Sequence, residues 1–362
     1  MRLAALAATP LVIPFTTRFK HASAERTETA SLWVAVTSDA GHSGHGESCP
    51  RPYVTGETVA SALDFVAEHH DSLVASVHDL ASLRAWMIRH AAAIDRAPAA
   101  WCAVELAVLD LLGRTVGVTL ETLLGRPPLV GPFTYTAVIG DGDRESFDRQ
   151  WARYAAAGFH DVKLKVSGER TRDLPRLAVL AGTAGLRVRL DANNLWRDAG
   201  TAIAFLRDVP GPLFAVEEPV AAGDIPSLSQ VADATGVPVI LDESATTAAQ
   251  VARLPGPPDR WIVNVRVSKM GGVLRALDVV ETARRRGIRV VVGAQVGETS
   301  VLTRAALPVA EAAGPALVAM EGGFGTLLLA RDVCDPPLMF GAAGRLAVAD
   351  HPRLALPGLG IA

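Results

Sequence analysis

The chain has 362 residues, 49% of them hydrophobic and 20% charged, with a formal net charge of −3. That length exceeds a single small core and suits a barrel plus a second domain, and near-balanced charge without a basic stripe speaks against nucleic acid as a partner. Cys49, Cys102 and Cys334 are odd in number and far apart, so they make neither a disulfide framework nor a metal-ligand spacing, and a reducing, cytoplasmic setting is expected.

In chain order, Met1 to Ala8 resembles the start of a secretory leader, but Pro10 and Pro14 break the apolar run. Residues 11–13 read instead as a first strand leading to Thr16-Thr17-Arg18. No apolar run reaches the roughly 18 residues of a membrane span. A second β-like run covers residues 31–36, and Gly41 to Glu47, with His42 and His45, looks like a hairpin turn rather than a metal site. Helical stretches follow at 59–69, 80–93 and 99–113, the last apolar at helical spacing with Gly113 near its end. Pro127-Pro128 marks the end of an α+β domain at about residue 128.

From about residue 131 the pattern alternates. Strands are expected at 134–138, 161–165, 187–190, 213–216, 237–241, 261–265, 289–292 and 316–319, with amphipathic helices such as 145–157, 171–180 and 273–286 between them. Eight strands alternating with helices describe an α/β parallel barrel. The Gly/Pro-punctuated tail holds no further βα unit and is expected to pack back on the N-terminal domain. The domain division is therefore 1–128, 129–335 and 336–362.

Short polar interruptions end these strands: Lys163-Leu164-Lys165, Asp191-Ala192-Asn193, Glu217-Glu218-Pro219, Asp242-Glu243-Ser244, and then Lys269 before Met270-Gly271-Gly272. From Lys165 to Asp191 to Glu217 to Asp242 to Lys269 the steps are 26, 26, 25 and 27 residues, the length of one strand, one helix and two short loops. Groups at the same point of successive βα units meet at one rim of a barrel. Asp191, Glu217 and Asp242 are the candidate metal ligands, since hard oxygen donors without His or Cys suit Mg²⁺, or Mn²⁺, over zinc. Three convergent carboxylates are unstable without a cation. Lys163 and Lys165, two apart on a strand, point to the same side, into the barrel mouth. A neighbouring ammonium and a metal ion would lower the pKa of one lysine enough to make it a base, while the other, Lys163, bridges the carboxylates. Lys269 stands four strands later, across the mouth.

This series of Lys-x-Lys, Asp-x-Asn, Glu-Glu-Pro, Asp-Glu-Ser and Asn264-Val265-Arg266-Val267-Ser268-Lys269-x-Gly-Gly resembles the enolase superfamily, in its muconate-lactonizing-enzyme-like subgroup. That subgroup includes muconate cycloisomerases, o-succinylbenzoate synthases, N-acylamino-acid racemases and dipeptide epimerases. The resemblance covers nearly the whole chain, with Asp110-Leu111-Leu112-Gly113-Arg114 and residues 120–125 similar to the end of the capping domain. It implies a modified (β/α)7β TIM barrel under an N-terminal α+β cap, and a homo-oligomer. Asp191, Glu217 and Asp242 would hold Mg²⁺, Lys165 and Lys269 would be the acid/base pair, and Lys163 would support Lys165, with Asn193, Glu243 and Glu218 behind the ligands. The implied reaction removes a proton alpha to the carboxylate of a small molecule through an enediolate, a charge that a divalent cation stabilises.

The substrate is less legible. Loops near residues 15–25 and 47–57 would cover the mouth, offering Arg18, Lys20, His21, Arg51 and Tyr53. Dipeptide epimerases carry an Asp-x-Asp after the eighth strand, whereas this chain has Met320-Glu321-Gly322-Gly323; and Gly293-Ala294-Gln295-Val296-Gly297-Glu298-Thr299 departs from the commoner Met-x-Glu of the seventh. Gln295, Glu298 and Glu321 are accordingly candidates for substrate contact. Two lysines on opposite faces favour 1,1-proton transfer, an epimerase or racemase of a dipeptide or N-acyl amino acid. One working lysine would give a cycloisomerase or dehydrating lyase, and a barrel that merely binds a metal–carboxylate ligand would need no matched bases.

Overall fold

The computed structural model describes residues 1–21 and 24–361, and the side chains of residues 17–25 lie outside that description. Alternating burial builds the first sheet: Leu32, Val34 and Val36 are fully buried, with half-buried residues between them. The opening strands are β1 (Leu3–Leu11), β2 (Pro14–His21), β3 (Ala24–Glu28), β4 (Ser31–Ser38) and β5 (Ser43–Ser48). β1, β4 and β5 form an antiparallel sheet in that order, and β2 pairs with β3. The first strand thus begins eight residues earlier than expected and runs through Pro10. As an edge strand it tolerates the missing N–H.

The expected hairpin turn over residues 41–47 is also corrected. The turn is confined to Asp39–Gly41, where the Gly41 N–H donates to Ser38 O at 3.0 Å, and Ser43 onward is strand. His45 lies in β5, stacked on Trp33 with ring centroids 5.4 Å apart. Gly44 and Gly46 answer a packing need, since a Cβ on either would run into the backbone of Ala107 or Ala103. Those residues belong to the helix Pro98–Val116, which is buried from Pro98 to Gly113 because it packs both on β5 and on the barrel.

After β6 (Phe133–Thr134) come the eight barrel strands: β7 (Ala137–Ile139), β8 (Asp161–Lys165), β9 (Arg187–Asp191), β10 (Ala215–Glu217), β11 (Val239–Leu241), β12 (Trp261–Arg266), β13 (Arg289–Gly293) and β14 (Leu317–Met320). They pair in parallel, each with its sequence neighbour, and all lie within one to three residues of the expected positions. The two ends of this curled sheet meet where Tyr135 bridges Met320 and the Thr136 N–H donates to Met320 O at 2.8 Å. A final short strand, β15 (Arg345–Leu346), pairs with β6. The tail then returns to the long buried helix, where the Leu359 N–H donates to Asp110 Oδ1 at 2.7 Å and Arg114 reaches Ile361 O.

Candidate active site

Register decides where the charged groups go. Lys165 in β8 lies beside Asp191 in β9, and Asp191 beside Glu217 in β10. Asp191 and Glu217 close β9 and β10 and Asp242 directly follows β11, so their side chains gather at one rim. All are buried: Asp191 at 3%, Glu217 at 1% and Asp242 at 2% exposure. Such burial is tolerable only with partners. Lys165 Nζ lies 2.9 Å from Asp191 Oδ2. Lys163 Nζ lies 3.4 Å from the same oxygen, 3.2 Å from Glu217 Oε2 and 2.8 Å from Glu321 Oε2. On the far side, Lys269 Nζ donates to Asp242 Oδ1 (2.8 Å), Asp242 O (2.6 Å) and Asn264 O (2.7 Å).

Lys269 owes its place to the Gly-Gly that follows it. Gly271 and Gly272 both have positive φ, and a Cβ on Gly272 would collide with the Glu105 carboxylate. That carboxylate, from the helix Pro98–Val116, accepts the Leu274 N–H at 3.0 Å, at the N-terminus of the helix Val273–Arg285. The exposed donors there and the helix dipole both favour an anion.

The groups behind the acids are similarly fixed. Asn193 donates its side-chain N–H to Asp191 Oδ1 at 2.7 Å. Glu218 accepts the Asp242 N–H (2.6 Å), the Ser244 N–H (2.8 Å) and the Ser244 hydroxyl (2.8 Å), tying one acid-bearing turn to the next. Glu243 faces the cavity.

Two arginines that residue-by-residue reading had given no role complete the set. Arg266 pairs with Asp242 Oδ2, approaches Glu217 Oε1 at 3.6 Å and donates to Gln295 Oε1 at 3.0 Å. Arg189 is fully buried and holds the second oxygen of Glu321 at 2.8 Å. Strand parity is the signal that finds Arg189, because it stands two residues before Asp191 and so shares its side of the sheet.

The electrostatics follow from this packing. Burial alone would raise the Asp191 carboxyl, but Lys165 and Lys163 outweigh it and hold it well below the usual range. Asp242 is likewise held down by Arg266 and Lys269 against its burial. Glu217 goes the other way, pushed up to about 7 by burial and by repulsion from Asp191, Glu321 and Asp242, which Lys163 only partly offsets. Burial and Asp242 push Glu243 up to about 8. Burial opposes the charge on Lys163, yet Glu217, Glu321 and Asp191 overcome it and keep the ammonium protonated.

A cavity of about 1080 Å³ opens onto this rim, and Tyr53, Lys163, Lys165, Arg266, Gln295 and Glu298 are on its wall. Lys269 is not; its side chain is completely buried behind Asp242. Glu321 reaches the cavity with both oxygens already taken by Lys163 and Arg189. Arg51 is corrected as a substrate contact: it is fully buried, and its guanidinium donates to the carbonyls of Ala30, Pro50, Thr29 and Val296. Arg18, Lys20 and His21 lie outside the described side chains.

Residues 7–125 match the mandelate racemase / muconate lactonizing enzyme N-terminal domain, and residues 146–362 match the enolase C-terminal domain-like family. The chain belongs to the enolase superfamily, in its mandelate racemase / muconate lactonizing enzyme group. Its relatives within that superfamily include epimerases and racemases. It is 30% identical to the L-Lys-D/L-Arg epimerase of Methylococcus capsulatus, over 96% of this chain and 95% of that one. It is 28% identical to the L-Ala-D/L-Glu epimerase of Bacillus subtilis, over 84% of each. The solved substrate-liganded structure of the B. subtilis epimerase superposes with a TM-score of 0.85 at 25% identity, covering 100% of this chain and 99% of that one. The M. capsulatus dipeptide epimerase, solved with Mg and L-Arg-D-Lys, superposes with a TM-score of 0.82 at 27% identity over 99% of both chains.

Proposed function

We propose that this enolase-superfamily member is a Mg²⁺-dependent epimerase or racemase that moves the proton alpha to the carboxylate of a dipeptide or N-acyl amino acid. The observation that carries the reading is the pairing of Lys165 with Asp191 and of Lys269 with Asp242 on opposite sides of one carboxylate cluster. Epimerases among its relatives support it.

The donor set fits a divalent ion. The carboxylates of Asp191, Glu217 and Asp242 gather at one rim without His or Cys, and Glu217 is pushed up by burial and then by repulsion from Asp191, Glu321 and Asp242, a repulsion that a cation would relieve. Among the described residues no group of three or more His, Cys, Asp or Glu is arranged to hold a metal ion; each oxygen of the three acids is met instead by a lysine, Arg266 or an asparagine. Every carboxylate oxygen retains further lone-pair capacity. When bound, the ion supplies positive charge beside the substrate carboxylate.

Lys165, from the end of β8, faces the cavity and would take or return the α-proton at Nζ. Lys269, held closely by Asp242 and Asn264 and more distantly by Ala245 O, would do the same from the other face. Lys163 stays charged and holds Asp191, Glu217 and Glu321 in place. Residues up to about 128 would cap the rim, and three buried free cysteines suit a cytoplasmic protein. Among the described residues no helix is long and apolar enough to cross a membrane.

A second reading has its own observation. Lys165 lines the cavity while Lys269 is enclosed, and one reachable lysine suffices for β-elimination or cycloisomerisation. Following the α-position by NMR in D₂O, over N-acyl amino acids, dipeptides and hydroxy acids, separates the two. Exchange with interconversion of stereoisomers is the expected result; product formation without exchange would promote the second reading.

A further inference from the structure

Between β13 and the helix Ser300–Ala313, residues 295–298 form a turn whose polar groups the proton-transfer chemistry does not use. The Gln295 N–H donates to Glu298 Oε1 at 2.6 Å, and no described residue pairs with Oε2. Gln295 is 4% exposed and lines the cavity. Its amide orientation is fixed, because Arg266 can only donate and therefore faces Gln295 Oε1. Gln295 Nε2 is left buried with no acceptor, which is costly unless something supplies one.

The turn is held from outside. Arg51 donates to Val296 O at 2.7 Å, the left-handed Gly297 packs against the Phe15 ring, and Glu47 accepts the Thr299 N–H at 3.1 Å. It is therefore rigid before any ligand arrives, which is the condition for using polar groups as recognition elements.

Of the acids on the cavity wall, Glu298 is the one that has an oxygen with no partner among the described residues and also stands beside the Gln295 amide. Glu321 is neutralised on both oxygens, Asp141 pairs with Arg172 at 2.6 Å, Asp143 caps its helix through the Ser146 N–H, and Glu243 adjoins Asp242. Among the described residues Glu298 makes no ion pair. Burial pushes its carboxyl up to about 7, and the Gln295 N–H and the more distant Arg266 and Arg51 only partly offset it.

We propose that Gln295 and Glu298 together bind the amino-terminal residue of a dipeptide substrate, Gln295 Nε2 donating to its carbonyl oxygen and Glu298 Oε2 accepting from its free ammonium. This rests on the proton-transfer reading above and selects within it: dipeptides with a free amine rather than N-acyl amino acids. An acylated nitrogen brings no charge for Glu298 and leaves that carboxyl buried without a counter-ion.

The test incubates the Mg²⁺-loaded enzyme in D₂O with a library of L-Ala-L-Xaa dipeptides, and separately with the same library N-acetylated, reading deuterium at the C-terminal α-carbon by mass spectrometry. The wild type should label the free-amine library preferentially. Glu298→Gln should lower kcat/KM for its labelled members by roughly 30-fold or more, the scale of losing one partner of a buried charge pair. It should leave acetylated members within about threefold, with an unchanged thermal melt. Glu298→Asp should recover part of the loss. Equal labelling of both libraries by the wild type, or equal losses for both in Glu298→Gln, would overturn the assignment while leaving proton transfer standing. No label in either library would overturn proton transfer itself, and this assignment with it.

Discussion

Lys163 Nζ and Glu321 Oε2 lie 2.8 Å apart, and the other oxygen of Glu321 lies 2.8 Å from Arg189. Arg189 in turn pairs with Asp161, so alternating charges run from the carboxylate cluster down through the barrel between β8, β9 and β14. This column explains why Glu321 is held down to about 2, Lys163 and Arg189 outweighing its burial. Glu321→Ala would leave two buried cations short of a partner. We expect a loss of about 3–5 kcal/mol, the cost of breaking a buried pair from one side, read by urea denaturation; a loss within about 0.5 kcal/mol would deny the column its structural role.

The two lysines give the sharpest test of the reaction. With each serving one face, Lys269→Ala should still exchange the α-proton of one stereoisomer with D₂O while failing to interconvert the pair. Lys165→Ala should show exchange confined to the other isomer. Positioned acid–base catalysis contributes about 10²–10⁴-fold, so epimerisation should fall by that order in each. Product from one variant with no exchange in either would favour the single-lysine chemistry that the enclosure of Lys269 suggests.

Chelation should abolish activity, and Mg²⁺ or Mn²⁺ should restore it. Binding should also be visible without turnover, because an ion that binds only the folded state stabilises it by about 2.7 kcal/mol at a hundredfold excess over Kd. Unchanged melting across a Mg²⁺ titration, together with full activity in metal-free protein, would remove the metal from the reaction.

Glu47 carries a pH dependence of stability. It is buried between the first domain and the barrel, where it accepts the Thr299 N–H and hydroxyl, and burial pushes its carboxyl up to about 8 despite those bonds. A folded pKa above the unfolded value near 4.5 means that the folded state holds the proton longer. This contribution is fully present below about pH 4.5 and is lost as pH rises through about 8, with a slope of at most about 1.4 kcal/mol per pH unit. Glu47→Gln should flatten the denaturation midpoint between pH 5 and 8 relative to the wild type; parallel curves would show that Glu47 does not titrate there.

Much of the site was legible in the chain. Strand–helix alternation with polar residues at steps near 26 located the rim, since a βα unit has a nearly fixed length. Side-chain parity put Lys163 and Lys165 on one side of β8, and the same parity would have found Arg189. The early hairpin and the first strand were misread for one reason: glycine and proline have two uses. Gly44 and Gly46 admit a helix rather than turn the chain, and Pro10 sits on an edge where its missing donor does no harm.

Sequence alone therefore determined the barrel, its rim and the acids and lysines gathered there, because these depend on periodicity and register along the chain. Only the tertiary structure decided which charge meets which. It turned Arg51 away from the cavity onto four carbonyls, closed Glu321 between Lys163 and Arg189, enclosed Lys269 behind Asp242, and left Gln295 and Glu298 open. Those outcomes depend on side chains converging from strands and domains far apart in sequence, where burial makes every unpaired charge costly and each pairing depends on the others.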